Sequence, residues 1–98
     1  MRTTPDRRRF KVTDHAELAD RGAFVLGKII DGVVRPGMRV KTHLEPPALT
    51  ISGVEFLDNV AERRHLNALV FAEHPTLDFV ARAFPIGSVV DVESANST

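Results

Sequence analysis

The sequence predicts an all-β protein, a small closed Greek-key barrel of about six strands with one short helix or helical turn before the last strand. Several segments alternate apolar and polar side chains, which is the period-two pattern of a strand with one buried face. Glycine and proline separate these segments at positions where turns need them. One segment near the C-terminus instead places its apolar residues at helical spacing.

The strongest signal lies in residues 21–40, which are typical of two β-strands joined by a turn. An apolar, β-rich run is followed by Arg35, Pro36, Gly37 and Met38, with proline and glycine in the order that a type II turn requires. Pro36 presets φ for the first central position, and Gly37 accepts the positive φ of the second. Gly27 lies inside the first strand and indicates a sharp coil, a bulge or a close approach by another segment.

The remaining strands follow from alternation and from short apolar runs. Phe10 and Val12 share one face of the first strand, whereas Arg9, Lys11 and Thr13 share the other. In residues 49–57, Leu49 and Ile51 share one face of the strand, but Val54 and Phe56 share that face only if one extra residue is inserted. A bulge is therefore predicted at Gly53. The predicted strands are residues 8–13, 24–30, 38–44, 49–57, 66–72 and 88–92, with loops at 14–22 and 58–65.

Residues 75–84 predict the single helix. Leu77, Val80, Ala81 and Phe84 recur at helical spacing, and Pro75 is acceptable in a first helical turn. Thr76 or His74 is the expected cap, because short polar side chains accept hydrogen bonds from the first free N–H groups of a helix. We expect this helix to plug one end of the barrel.

One domain is predicted over residues 8–93, between a flexible basic N-terminal arm at 1–7 and a flexible tail at 94–98. The six phenylalanines are the only aromatic residues, and their positions favour burial rather than exposed platforms on which RNA bases could stack. The expected core comprises Phe10, Val12, Phe24, Leu26, Ile30, Val40, Ile51, Phe56, Leu69, Val70, Phe71, Val90 and Val92.

The composition argues against several kinds of chemistry. The chain has no cysteine, so it has no disulfide, thiolate nucleophile or cysteine-ligated zinc, which fits a cytoplasmic protein. No run approaches the ~20 apolar residues of a membrane-spanning helix, and no membrane partner is expected. The four histidines lack the spacing of a zinc motif, and the serines and threonines lack a nucleophile elbow. We therefore expect a non-catalytic protein without cofactor or metal, with an uncharacterised enzyme as a minor alternative.

Charge suggests where a partner would bind. The net charge is +0, but the first eleven residues contain five basic residues and one acidic residue. Alternation places three basic residues of the strand at 38–44 on one face, where they form a cationic stripe suited to RNA backbone if the first strand lies close. The candidate nucleic-acid-binding residues are Arg7, Arg9, Lys11, Arg39, Lys41 and His43, extended from a loop by Arg63 and Arg64.

A protein-interaction module, without nucleic acid, is the alternative. Its expected contact points are Asp58, Asn59, the loop at residues 45–48 and the helix at residues 77–84. A homodimer is a further possibility, because an edge strand at residues 38–44 could pair with its own copy, although its basic side chains oppose this.

A family resemblance is carried by Arg21-Gly22, Gly27-Lys28-Ile29, Gly32, Val34, Gly37 and Val40, together with residues 51–55 and 86–90. These residues resemble the pattern of the translation-protein β-barrel, the second domain of elongation factor Tu and related translational GTPases. The resemblance spans roughly residues 9–93. It implies a stand-alone barrel that associates with RNA or the ribosome. No GxxxxGK[ST] phosphate loop is present, so we expect no GTP binding by this chain alone.

Overall fold

The computed structural model describes residues 8–59 and 64–94. Six antiparallel strands close into a barrel with one short helix before the last strand, which confirms the predicted fold class. The predicted arm at 1–7 and all but the first residue of the predicted tail lie outside the described residues. The elements are β1 (Arg9–Leu18), β2 (Gly22–Asp31), β3 (Arg39–Lys41), β4 (Ala48–Asn59), β5 (Arg64–Phe71), α1 (Leu77–Ala83) and β6 (Val89–Glu93).

The order of strands around the barrel is β1, β2, β5, β4, β3, β6. Strands β3, β4 and β5 form a meander and β2 lies beside β5, which is a Greek-key connection. The predicted turn is present: the Met38 N–H donates to the Arg35 carbonyl at 3.2 Å, and Gly37 has a φ of 95°. The two strands that the turn joins, β2 and β3, are not paired with each other. Their connection crosses one end of the barrel and buries Val34 there.

Strand β1 is longer than predicted, since it continues to Leu18 through residues that were expected to form a loop. Its register shifts between Val12 and Asp14, so that Thr13 is the extra residue of a bulge. The bulge turns His15 toward the barrel interior, where its Nε2 lies 2.6 Å from the Phe84 carbonyl oxygen. The polar residues at 14–18, whose composition is typical of a loop, therefore continue the strand.

Strand β3 is shorter than predicted, because Thr42 ends it. The Thr42 side chain is buried, accepts the Leu44 N–H at 3.0 Å and donates to the Pro46 carbonyl at 2.5 Å. These local hydrogen bonds offer the backbone an alternative to the strand ladder. His43 consequently adopts a φ of 62° outside the sheet.

The inner face of β2 carries small residues. A Cβ built on Gly27 would lie 1.9 Å from the Lys11 carbonyl oxygen, so the close approach, one of the three alternatives predicted at Gly27, is present. Ala23 and Val25 are the other buried members of this face. Three predicted core residues were therefore wrong: Phe24 and Leu26 lie on the outer face and are half-buried, and Ile30 lies at a register shift and is exposed.

The predicted bulge in β4 is confirmed. Ile51 pairs with Phe71 and Gly53 pairs with Val70, which leaves Ser52 as the extra residue. The shift aligns Val54 with the core, and Phe56 has the same parity. Phe56 is nevertheless 65% exposed, so its place in the predicted core was wrong. The predicted parity is correct, but Phe56 lies at the end of the barrel, opposite the last β5 residue that also pairs with β2.

Helix α1 closes the other end of the barrel as predicted. The Thr76 side chain caps it by accepting the Phe79 N–H at 3.1 Å. Val80 and Phe84 are fully buried, and the Phe84 ring stacks on Phe71 with centroids 5.7 Å apart. No described helix is long and apolar enough to cross a membrane. The remaining predicted core residues Phe10, Val12, Val40, Ile51, Leu69, Val70, Phe71 and Val92 are buried, and Val90 is partly buried.

Candidate nucleic-acid interface

The two strands of the predicted cationic stripe are not neighbours in the barrel. Strand β6 lies between them and pairs with both: Arg9 is opposite Asp91, and Arg39 is opposite Glu93. Directly paired residues share a face of the sheet. The outer surface of β1, β6 and β3 therefore alternates basic and acidic side chains instead of forming a continuous basic stripe.

Two of the candidate residues are engaged in ion pairs. Arg9 binds the Asp31 carboxylate through Nε at 2.6 Å, and Lys41 Nζ lies 3.0 Å from Glu93 Oε2. The hydrogen bond and charge of Glu93 raise the pKa of Lys41 above its ordinary value of 10.5. Both cations have their charge partly compensated on the protein itself, which lowers their attraction for phosphate.

The other candidate nucleic-acid-binding residues do not form one continuous basic surface. Arg39 is exposed, and within the described residues it forms no ion pair. Arg39, Lys41 and His43 line a shallow depression of about 420 Å³, but Glu93 lines it as well. Arg64 begins β5, far along the sheet from β3. Arg7 and Arg63 lie outside the described residues.

Pairing of β1 with β2 produces a different basic site. Lys28 lies directly opposite Lys11, and both side chains are exposed. On the β6 side the neighbour of Lys11 is Val89, which has no charge. Neither lysine forms an ion pair among the residues that the structure describes. We call Lys11 and Lys28 the lysine pair.

Sequence reasoning found Lys11 but missed Lys28. A signal was available, because an inward Ile29 requires an outward Lys28 on a strand. The register that places the two lysines opposite each other depends on the bulges of the β1 and β2 pair, and those bulges were not foreseen in β1.

The end of the sheet next to the lysine pair extends beyond the barrel. Gly27 pairs with Asn67, and Asn67 also pairs with Phe56. Past Asn67, the described part of β5 pairs only with β4. Residues 57–59 and 64–66 are thus two-stranded, and we call this extension, together with the Phe56 and Asn67 pair at its base, the ribbon. Past Asn67, one edge of β5 has no strand beside it among the residues that the structure describes.

The ribbon carries an exposed ring stack. The Phe56 ring lies against the His65 imidazole with centroids 6.1 Å apart and an interplanar angle of 17°. Both side chains are exposed. The expectation that no phenylalanine stands out for stacking was therefore wrong at this position, because parity along a strand does not reveal where the strand loses its neighbours.

Some of the residues predicted for the alternative function, protein binding, lie close together. Pro46 of the predicted contact loop and Phe79 of the plugging helix line one mostly apolar depression of about 260 Å³, together with Leu49, Glu73 and His74. Asp58 and Asn59 lie in the ribbon, at the far end of β4. The predicted edge strand is not an edge, because β3 pairs with both β4 and β6.

No group of three or more histidine, aspartate or glutamate side chains in the described residues could hold a metal ion. Comparisons of the chain with known protein families, curated proteins and solved structures find no match.

Proposed function

We propose that the protein is a non-catalytic RNA-binding module that holds the phosphate backbone at the lysine pair, next to the ribbon. The observation that carries this proposal is the direct cross-strand position of Lys11 and Lys28. Two like charges directly opposite each other destabilise a sheet. Their cost is offset when an anionic ligand lies between them.

The contrast with four other cations of the described residues supports this choice. Arg9, Arg21, Lys41 and Arg82 each lie within 4.0 Å of a carboxylate, at 2.5, 2.9, 3.0 and 3.2 Å respectively. The lysine pair has no such partner among the described residues, so its charge remains available. Lysines that contact phosphates release condensed counterions, which supplies affinity independent of base sequence.

The resemblance to the translation-protein β-barrel adds a direction to the proposal. The barrels of that family belong to factors that act on the ribosome, so ribosomal RNA is the first RNA to test. The basic residues of the sequence near the N-terminus would extend the same electrostatic attraction.

The experiment compares two double variants with equal loss of charge. Lys11→Gln with Lys28→Gln removes the lysine pair, and Arg21→Gln with Arg82→Gln removes two cations that already have acidic partners. Affinity for a labelled unstructured RNA is measured by fluorescence anisotropy over a range of salt concentrations. We expect the first variant to bind more weakly and to lower the log–log salt slope by about 1.4, at about 0.7 per phosphate contact.

The control variant should retain nearly the wild-type slope. Wild-type protein without salt-dependent binding would refute the proposal. So would an affinity that falls equally in both variants, because that result would indicate only a response to net charge.

A second candidate is protein binding at the apolar depression between Pro46 and Phe79. The observation that favours it is the convergence of two independently predicted contact segments on one concave surface. Glu73→Arg would reverse the charge on its lining, and Glu17→Arg on the exposed outer part of β1 is the matched control. A discrete protein recovered from lysate by wild type and by the control, but not by Glu73→Arg, would support this candidate. Recovery by all three would remove it.

A further inference from the structure

We infer that the Phe56 and His65 stack on the ribbon is a platform for an unpaired RNA base, so that the module takes single-stranded rather than duplex RNA. This inference rests on the proposed function and deepens it. Proteins that bind single strands combine a basic surface that follows the backbone with aromatic side chains on which the bases stack.

The exposure of Phe56 requires an explanation, because the other apolar side chains at this parity of β4 lie in the core or pack against it. Val54, two residues earlier on the same face, packs against the core, whereas Phe56 is 65% exposed. Its ring stacks on the His65 imidazole. A base would stack on the solvent-exposed part of the Phe56 ring and extend this stack.

The platform and the lysine pair lie on opposite faces of the sheet, but at the same end. Lys28 directly follows Gly27, and Phe56 is the β4 partner of Asn67, the residue that pairs with Gly27. Beyond Asn67, none of the described strands pairs with β5 on the β2 side. The proposed path of the nucleic-acid strand runs from the lysine pair over this edge to the ring stack.

A duplex does not fit this arrangement. Bases within a double helix are stacked on their neighbours and have no free face, so they cannot cover Phe56. An unpaired base has a free face, and every base presents one, which makes such a platform tolerant of sequence. We expect a preference for unpaired RNA with little preference among bases.

The test uses the full chain with Phe56→Leu and Phe56→Trp. Leucine keeps an apolar side chain but removes the aromatic face, whereas tryptophan keeps and enlarges that face. The chain contains no tryptophan, so Phe56→Trp also introduces a single fluorescent reporter whose emission a stacked base would quench. Three ligands of matched phosphate number are compared: unstructured RNA, an abasic ribose-phosphate strand and duplex RNA.

We expect Phe56→Leu to bind unstructured RNA about fivefold to 150-fold more weakly, and to bind the abasic strand and the duplex as wild type does. Phe56→Trp should retain the preference, and its fluorescence should fall on adding unstructured RNA but not the abasic strand. Thermal melting followed by circular dichroism verifies that both variants are folded. A ring that merely stabilised the ribbon would not produce a difference between base-bearing and abasic strands.

Two results would overturn the inference. Wild-type protein could bind the base-bearing and abasic strands equally, or Phe56→Leu could retain full affinity for unstructured RNA; in either case the phosphate-binding function would survive without the platform. Absence of salt-dependent binding to every strand, including the abasic one, would instead refute the proposed function itself and the platform with it.

Discussion

The two ends of this barrel differ in the burial of their phenylalanine side chains and in the ion pairing of their basic side chains. At the helical end, Phe84 is fully buried and Arg82 has an acidic partner four residues away. At the ribbon end, Phe56 is exposed and the two facing lysines have no acidic partner in the described residues. The first end has the organisation of a closed core, and the second departs from it in both packing and charge. Such departures mark the places where function is expected to override stability.

The part of the barrel least tolerant of substitution should be the wall between its two ends, where β1 packs closely against β2. Gly27→Ala would place a Cβ 1.9 Å from the Lys11 carbonyl oxygen, and that backbone atom cannot move without disturbing β1. We predict a loss of about 4 kcal/mol or more in the free energy of unfolding, measured by denaturant titration. Gly53→Ala is the control, since its Cβ would meet no atom within 4 Å. Equal effects of the two substitutions would contradict the close packing of β1 against β2.

Truncation of one phenylalanine at each end tests the contrast directly. Phe84→Ala should cost about 3–5 kcal/mol, because it leaves a cavity beside Phe71 under the helix. Phe56→Ala should cost under about 1 kcal/mol, because its ring is mostly in solvent and loses chiefly the contact with His65. The measurement is the free energy of unfolding of each variant. Similar losses at the two positions would show that the ribbon is as much a part of the core as the helix.

Removal of the helix cap should have an intermediate effect on the free energy of unfolding. Thr76→Ala removes the hydroxyl that accepts the Phe79 N–H, and we predict a loss of about 1 kcal/mol in the free energy of unfolding. Thr76→Ser, which retains an accepting hydroxyl, should remain near wild type. RNA affinity of both variants should be unchanged, since the cap is at the end remote from the lysine pair. A fall in RNA affinity with Thr76→Ala would place the binding surface at the helical end.

At the ribbon end, stability and binding should change in opposite directions. Lys28→Glu replaces a like-charge cross-strand pair by an opposite-charge pair, which should stabilise the fold by about 0.2–1 kcal/mol. The same substitution should weaken RNA binding, because it reverses a charge at the proposed phosphate contact. Thermal melting and anisotropy on the same sample measure both effects. A destabilised protein, or one with unchanged RNA affinity, would argue against the lysine pair as a functional site.

The smallest effect concerns Lys41. Glu93→Gln should lower the pKa of Lys41 toward 10.5, because it removes the carboxylate that raises it. A raised folded-state pKa means that the pair stabilises the fold below the ordinary pKa of lysine and that this contribution disappears as the pH rises through the raised value. At neutral pH the substitution should leave RNA affinity unchanged. Nuclear magnetic resonance titration of the lysine side chain gives the pKa, and an unchanged value would show that the ion pair does not form in solution.

Local signals in the sequence predicted the barrel well. The turn with Gly37 and the bulge at Gly53 are present as predicted from a few adjacent residues. The close approach at Gly27 was one of three predicted alternatives, and Thr76 was one of two predicted caps. The errors arose where distant segments decide the outcome. Pairing of Lys11 with Lys28 depends on register shifts across two strands, and exposure of Phe56 depends on where β2 stops accompanying β5.

The predicted site failed to assemble for the same reason. Alternation correctly identified Arg9, Lys11, Arg39 and Lys41 as outward-facing residues, but it carried no information on which strands become neighbours. Insertion of β6 between β1 and β3 separates the two basic faces and adds acidic side chains to them. Lys11 of β1 has a basic neighbour only on the β2 side. That neighbour, Lys28, was not among the predicted binding residues.

Mapping the RNA contact on the folded chain tests the central claim most directly. Unstructured RNA is titrated into isotope-labelled protein, and the backbone amide shifts are followed by nuclear magnetic resonance. The proposal predicts perturbations at Lys11, Lys28, Phe56 and His65, with the amides of α1 unchanged. Perturbations centred on α1 and the Pro46 depression, or none at saturating RNA, would contradict it.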